Sequence, residues 1–441
     1  MNHPAELPVA NASNAADAAD AAAGGRLAAL IDAAAAVAEA RVIAWRRDLH
    51  QHPELGNREF RTAGIVSAHL RALGLDSVQE GVAHTGVVGV LKGGRPGPVV
   101  ALRADMDALP VAEQVDIPFA SKATAPWNGE TVGVMHACGH DCHTAILMGV
   151  AQVLAGLRSQ LRGSIKFIFQ PAEEMPPEGE DGGAKMMIAE GALQNPVPQA
   201  IFGLHVTSRL SVGFIGYRPG PTMASADSLK ITVNGRQTHG AAPWLGVDPI
   251  VTAAQVILGL QTVVSRTQDL TQEPAVVTLG TIRGGLRDNI IPDSVEMRGT
   301  IRTFSEAMRD DIHERVTTLA ESIAKGSRAT CRVCINKNYP VTINDPALTA
   351  AMVPTLQRVA GPTTADSGLL LVPKVTGSED FSFFQRLVPG LFFFIGVTAR
   401  GVDPAQAPSN HSPRFEVDED GLKLGLRALA HLSCDYLEAN A

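Results

Sequence analysis

The chain has 441 residues, 45% of them hydrophobic, and a formal net charge of −8, enough apolar material for two or more domains with sizeable cores. Its charges are scattered rather than run together, which argues against nucleic acid or a membrane surface as partner. No apolar stretch has the length to cross a bilayer, LFFFIGV being of strand length, and five cysteines are too few for a disulfide framework, so a reducing, cytoplasmic location is expected.

In chain order, residues 1–25 are rich in Ala, Asp and Asn, lack the basic-then-apolar order of a secretion signal, and are expected to form a mobile leader. From Leu27 to Leu49 apolar residues recur at helical spacing, and Pro53 ends that helix. His50 and His52, in RRDLHQHPELG, are candidates for the site, with helix-end capping or packing the favoured reading. A second helix is expected from about Glu59 to Leu73, closed by Gly74. Two strand-like runs follow, VVGVLKG and PVVALRADMDAL, joined by the turn GGRPG. Asp105 and Asp107 end the second run, where an acidic pair can either orient a ligand or cap the following loop.

The stretch MHACGHDCH, Met135 to His143, packs three histidines, two cysteines and an aspartate into nine positions. Cys138 and His140 sit two apart around Gly139, so a thiolate and an imidazole can converge on one metal ion. The apolar run after them reads as a buried helix with Asp141 as its N-cap. In SIKFIFQPAEE, Pro171 stops a strand, leaving Glu173 and Glu174 just past its carboxyl end. One of two adjacent carboxylates can bind a metal while the other takes a proton from water. His205 ends the strand IFGLHV, so three strand or loop ends carry candidate residues, as sites in open α/β sheets do.

From near Met223 the pattern becomes β-α-β-β-α-β, the split-βαβ arrangement of a small α+β domain lying inside the larger one. Its helices are expected over residues 247–266 and over Ser305 to Lys325, the latter capped by Ser305. Cys331 and Cys334, three apart on a strand, face opposite sides and share no metal. Beyond Tyr339, Asn344 or Asp345 caps a helix started by Pro346. VTGSEDFSFF, LFFFIGV, a Pro-rich loop with NHSP containing His411, and an amphipathic helix to about Leu437 complete the chain. The expected division is a leader at 1–25, catalytic segments at 26–222 and 338–441, and an inserted domain at 223–337.

MHACGHD, QPAEE, GLHV, THGAAP, NIIPD, GTIRTF, GSEDF and NHSP occur in one order. Together they resemble the M20 metallopeptidase superfamily in its amidohydrolase branch, which includes hippurate hydrolases, N-acyl-L-amino-acid amidohydrolases and auxin-conjugate hydrolases. The resemblance spans Trp45 to the last helix. It implies an α/β, two-domain fold: a zinc-peptidase-like catalytic domain with an inserted ferredoxin-like α+β lid that often serves as the dimer contact. It implies two divalent metal ions per subunit, of Zn, Mn, Co or Ni. Cys138 would bridge them, His140 and His205 would complete one ion, and Glu174 and His411 the other. Glu173 would be the general base and acid, and Asp105 would steady the first metal's surroundings. His239 would hydrogen-bond the oxyanion, and Asn289 and Arg302 would hold the substrate carboxylate. Arg103 stands where relatives elsewhere in the superfamily carry a ligating histidine, and Cys142 is a second thiol beside the site. The implied activity is cleavage of the amide bond of N-acyl or N-aroyl amino acids. A dipeptidase or carboxypeptidase of the same superfamily, or a non-catalytic metal-binding protein, is the alternative.

Overall fold

The structure, a computed structural model, describes residues 12–441, with side chains from residue 25. Residues 1–11 of the expected leader lie outside it, and the first helix, Ala12–Gln51, starts well before Leu27. The Ala-rich stretch favours helix strongly enough to extend it. The chain divides into two compact units: one runs to Gly216 and resumes over Ala351–Leu370 and Phe393–Ala441, and the other takes Tyr217–Ala350 and Leu371–Phe392. The expected boundaries were 222/223 and 337/338.

An eight-stranded sheet has the order Ser77–Val82, Gly86–Lys92, Arg162–Gln170, Arg95–Asp105, Ala200–Ser211, Gly390–Thr398, Phe214–Tyr217 and Gly368–Leu371. The two runs around GGRPG do not pair with each other. Strand Arg162–Gln170 lies between them, antiparallel to Gly86–Lys92 and parallel to Arg95–Asp105. A central strand can be buried on both faces, and the Ile and Phe of SIKFIF are. In the parallel register Asp105 stands opposite Gln170, and Arg103 opposite Gly203. Strands Arg162–Gln170 and Arg95–Asp105 therefore end level, with Asp105 at one carboxyl end and Glu173 just past the other. His205, expected to end its strand, instead lies inside it, because Ala200–Ser211 continues for six residues beyond.

Helix His140–Gly156 is apolar on nearly all sides because it is covered on nearly all sides, by the sheet and by helices Ala12–Gln51 and Asp420–Ala439. Its N-cap is Gly139, not Asp141. Asp141 is buried in the first turn, where its carboxylate receives Arg46 Nε at 2.9 Å and His50 Nδ1 at 2.8 Å. His50 also reaches Glu113 at 3.1 Å, so it packs as expected. A buried cation takes the aspartate away from capping, since an unpaired buried charge costs more than a cap contributes.

In the second unit, four antiparallel strands have the order Ala275–Gly284, Ser294–Thr303, Ala226–Asn234, Thr330–Tyr339. Helices Pro249–Thr267 and Glu306–Gly326 pack on that sheet through Val256, Leu260, Ile312 and Val316 against Leu229, Ile231 and Ile301. Asp248 caps the first helix through the backbone N–H groups of Ile250 and Val251, and Ser305 caps the second through that of Met308. Helix Pro249–Thr267 is long and apolar enough to cross a membrane by length and composition. That corrects the expectation from apolar runs, which its scattered polar residues concealed. Its inner face is spent on the sheet.

Candidate metal centre

Cys138 lies in the loop before Gly139, His205 near the middle of strand Ala200–Ser211, and His411 in the Pro-rich loop. The fold brings them together. Cys138 Sγ is 3.3 Å from His205 Nε2 and 3.2 Å from His411 Nε2. His411 Nε2 is also 2.9 Å from Glu174 Oε1. The ligand atoms of Cys138, His140 and His205 lie within 4.8 Å of one another, as do those of Cys138, Glu174 and His411, and of His140, Glu173 and Glu174.

Backbone geometry explains the convergence. Gly139 has φ +95°, a value L side chains rarely adopt, and a Cβ there would meet Val206 Cγ2 at 2.3 Å. The loop therefore turns sharply between Cys138 and His140. The His411 backbone N–H donates to the Ala137 carbonyl at 2.7 Å. The Asn410 amide donates to the carbonyls of Cys138 and Val206 at 2.9 and 3.1 Å. Asn410 thus ties together the segments that carry Cys138, His205 and His411.

Hydrogen bonds orient the imidazoles. His205 Nδ1 donates to the Val206 carbonyl at 2.6 Å, which turns Nε2 toward Cys138. His140 Nδ1 is 3.0 Å from Asp107 Oδ1, and its Nε2 is buried without a hydrogen-bond partner. That is the arrangement in which a ligating histidine's far nitrogen is fixed by a carboxylate or carbonyl. His143 is different: its Nδ1 is 2.6 Å from Asp105 Oδ1 and its Nε2 accepts from Val206 N–H at 2.9 Å, so both nitrogens are used.

Asp105, expected to steady the first metal's surroundings, is 3.8 Å from His140 Nδ1 and also pairs with His143 and Arg103. Asp107 makes the direct bond to His140, and its other oxygen accepts Glu174 N–H at 2.9 Å. Strand Arg95–Asp105 ends at Asp105, and Asp107 lies just past it, within reach of His140. Arg103 donates to Gln170 at 2.8 Å and to Asp105 at 2.5 Å, so the position filled by histidine elsewhere carries a buried, fully engaged cation.

The electrostatics are those of a negative cavity. Burial opposes charge on His140, but Asp105, Asp107 and Glu174 raise it to about 10. Burial and the carboxylates of Glu174 and Glu173 push the Cys138 thiol well up. Burial, with His143 and His140 nearby, holds His205 well below the usual range. Burial opposes ionisation of Glu174, but His411 and His140 bring it below the ordinary value. Thiol, imidazoles and carboxylates gathered this tightly, with an orphaned buried His140 Nε2, fit divalent cations. Cys142 is fully buried beside Asp141 and Arg46, on the helix side.

Three expected residues belong to the second unit. His239 is exposed in a two-residue strand paired with Ile290 and Ile291. Its Nδ1 accepts Ala241 N–H at 3.0 Å, which leaves Nε2 as the donor of the neutral ring. Asn289 adjoins it, its carbonyl accepting Gly240 N–H at 2.8 Å. Arg302 is half-buried and donates to Ser378 Oγ at 2.9 Å. Sequence reasoning missed the parts of His143, Asn410 and the Arg46–His50–Asp141 cluster. For Asp107 the acidic pair in DMD was the available signal.

Residues 101–434 match the model of peptidase family M20/M25/M40. The chain is 41% identical over 392 residues to thermostable carboxypeptidase 2 of Saccharolobus solfataricus, covering 88% of this chain and 93% of that protein. It is 37% identical over 398 residues to N-acetylcysteine deacetylase of Bacillus subtilis, covering 90% and 97%. A Bacillus subtilis crystal structure, described as a dinuclear metal binding peptidase from the M20 family, superposes with TM-score 0.75 at 34% identity over 91% of this chain and 98% of that one. The chain belongs to peptidase family M20/M25/M40 and is a hydrolase of amide bonds.

Proposed function

We propose that this hydrolase is a metal-dependent amidohydrolase that releases an amino acid and a carboxylic acid from an N-acyl or N-aroyl amino acid. The convergence of His205, His411 and Glu174 on Cys138 carries the reading. The name of the Bacillus subtilis deacetylase supports the substrate class. Cys138 would be shared by two ions, His140 and His205 would hold one, and Glu174 and His411 the other; zinc, manganese, cobalt and nickel all suit this set. Bound ions would polarise the scissile carbonyl and lower the pKa of water.

Glu173 is the general base and acid. It is buried beside the ligands, its Oε2 3.9 Å from His140 Nε2. It accepts the proton of the attacking water and returns it to the leaving amine nitrogen. His239 is proposed to donate from Nε2 to the oxyanion, and Asn289 and Arg302 to hold the substrate carboxylate. Glu173→Gln is expected to lower kcat by about 10²–10⁴-fold with metal content unchanged. Parental kcat in that variant would refute the assignment.

The carboxypeptidase relative keeps a peptide-cleaving reading open. A panel of N-acetyl and N-benzoyl amino acids against dipeptides, after loading with Mn, Zn or Co, separates the two. A homodimer through the second unit is also proposed. Helix Pro249–Thr267 leaves Leu258 72% and Val251 56% exposed, and edge strand Ala275–Gly284 exposes Val276 and Ile282. Such an apolar, unpaired edge suits a second copy of this chain.

A further inference from the structure

We propose that Glu59 is a positioning residue for the catalytic loop, holding Ala172 in the strained conformation that aims Glu173 and Glu174. Glu59 Oε1 accepts the Ala172 backbone N–H at 2.9 Å, and Oε2 accepts the Thr85 hydroxyl at 2.5 Å. Ala172 has φ +50° and immediately precedes Glu173 and Glu174. A non-glycine residue there costs of order 1–2 kcal/mol and persists only when its surroundings hold it.

The segment around Glu59 holds the loop at both ends. Gly56 leaves room for Ala172, since a Cβ at Gly56 would lie 3.1 Å from that of Ala172. At the far end the Asn57 amide donates to the Asp181 carbonyl and to Glu180, each at 3.1 Å, and Arg58 grips both Glu180 oxygens at 2.5 and 3.0 Å. Glu173, Glu174 and Met175, itself at φ +80°, lie between these anchors. Glu59 is fully buried, and burial together with Asp107 pushes it up to about 8. A group this costly to bury is poorly explained as filler. The physical demand is reach: an acceptor at the end of two methylenes, placed under one N–H. Charge is not demanded, so glutamine can supply it and aspartate cannot.

The inference rests on the role proposed for Glu173, and the test separates the two. Glu59→Gln, Glu59→Asp and Glu59→Ala are compared with Leu70→Ala, a fully buried change on the next helix away from the loop. Measured quantities are kcat and KM on an N-acetyl amino acid, the melting temperature, and Co(II) titration followed by visible absorption. The Asp and Ala variants are expected to lose kcat by roughly tenfold or more, with KM nearly unchanged and weaker Co(II) binding, because a small misplacement of reacting groups is enough. Glu59→Gln is expected to keep near-parental kcat. Leu70→Ala is expected to melt earlier yet keep kcat. Parental kcat in the Asp and Ala variants, Gln as damaging as Ala, or Leu70→Ala losing kcat equally overturns the proposal. If the parental protein cleaves no substrate of the panel, the functional reading fails alone, and the Co(II) titrations of the same series decide the part of Glu59.

Discussion

At the scale of single residues, the histidines of the centre are told apart by what holds their far nitrogen. His140 and His205 each spend Nδ1 on an oxygen and turn Nε2 inward, whereas His143 spends both. Asp107→Asn is therefore expected to weaken metal binding by about 10–100-fold, measured by chelator competition. Asp105→Asn is expected to show mainly as lost stability, because it unpairs buried Arg103 and His143. Equal metal affinities in the two variants would refute this division. Asp141 carries a pH effect. Burial raises its pKa, but Arg46 and His50 outweigh that and hold it well below the usual carboxylate range. A depressed carboxylate stabilises the fold above its unfolded pKa, and the contribution is lost as pH falls through the folded one. Asp141→Asn is expected to cost about 3–5 kcal/mol at neutral pH in urea unfolding, with a shallower loss towards acid.

At the scale of elements, turns and caps decide where the chemistry is delivered. Gly139 is both the N-cap of helix His140–Gly156 and the turn between two candidate ligands, Cys138 and His140. Gly139→Ala combines a left-handed backbone with a 2.3 Å approach to Val206. Its melting temperature and metal content are expected to fall together, since the strain of about 1–2 kcal/mol is relieved only by moving the ligands. Ser305→Ala is a contrasting case far from the centre in sequence: losing the cap on Met308 N–H is expected to cost about 1 kcal/mol and leave metal content unchanged.

For the whole molecule, Glu59 and Asp141 pull stability in opposite directions with pH. Glu59 is raised, chiefly by burial and then by Asp107, to about 8. Its contribution is present below its unfolded value near 4.5 and lost as pH rises towards about 8. Unfolding midpoints of Glu59→Gln are expected to vary less than those of the parental protein over that window. Leu258→Asp is expected to sediment as a monomer, if the exposed face of helix Pro249–Thr267 is the seam between copies. Removing metal with a chelator should abolish turnover, and Mn, Zn or Co should restore it.

Much of the candidate centre was legible in one dimension, because residues of these types rarely cluster as they do in MHACGHDCH, although His205 proved to lie inside its strand and His140 to open a helix. The ordered motifs led to the family, and hydrophobic periodicity to the split-βαβ unit. Tertiary structure decided what depends on pairing across the chain. GGRPG joins strands separated by a third, since a central strand must be covered on both edges as well as both faces. Asp141 is an ion-pair partner rather than a cap because Arg46, 95 positions earlier, is buried against it. Asp107 rather than Asp105 makes the hydrogen bond to His140 because the strand stops at Asp105 and the chain beyond it turns Asp107 to that imidazole. Residue types and their order identify a chemistry, while the assignment of each side chain to its partner is a property of distances that no sequence spacing contains.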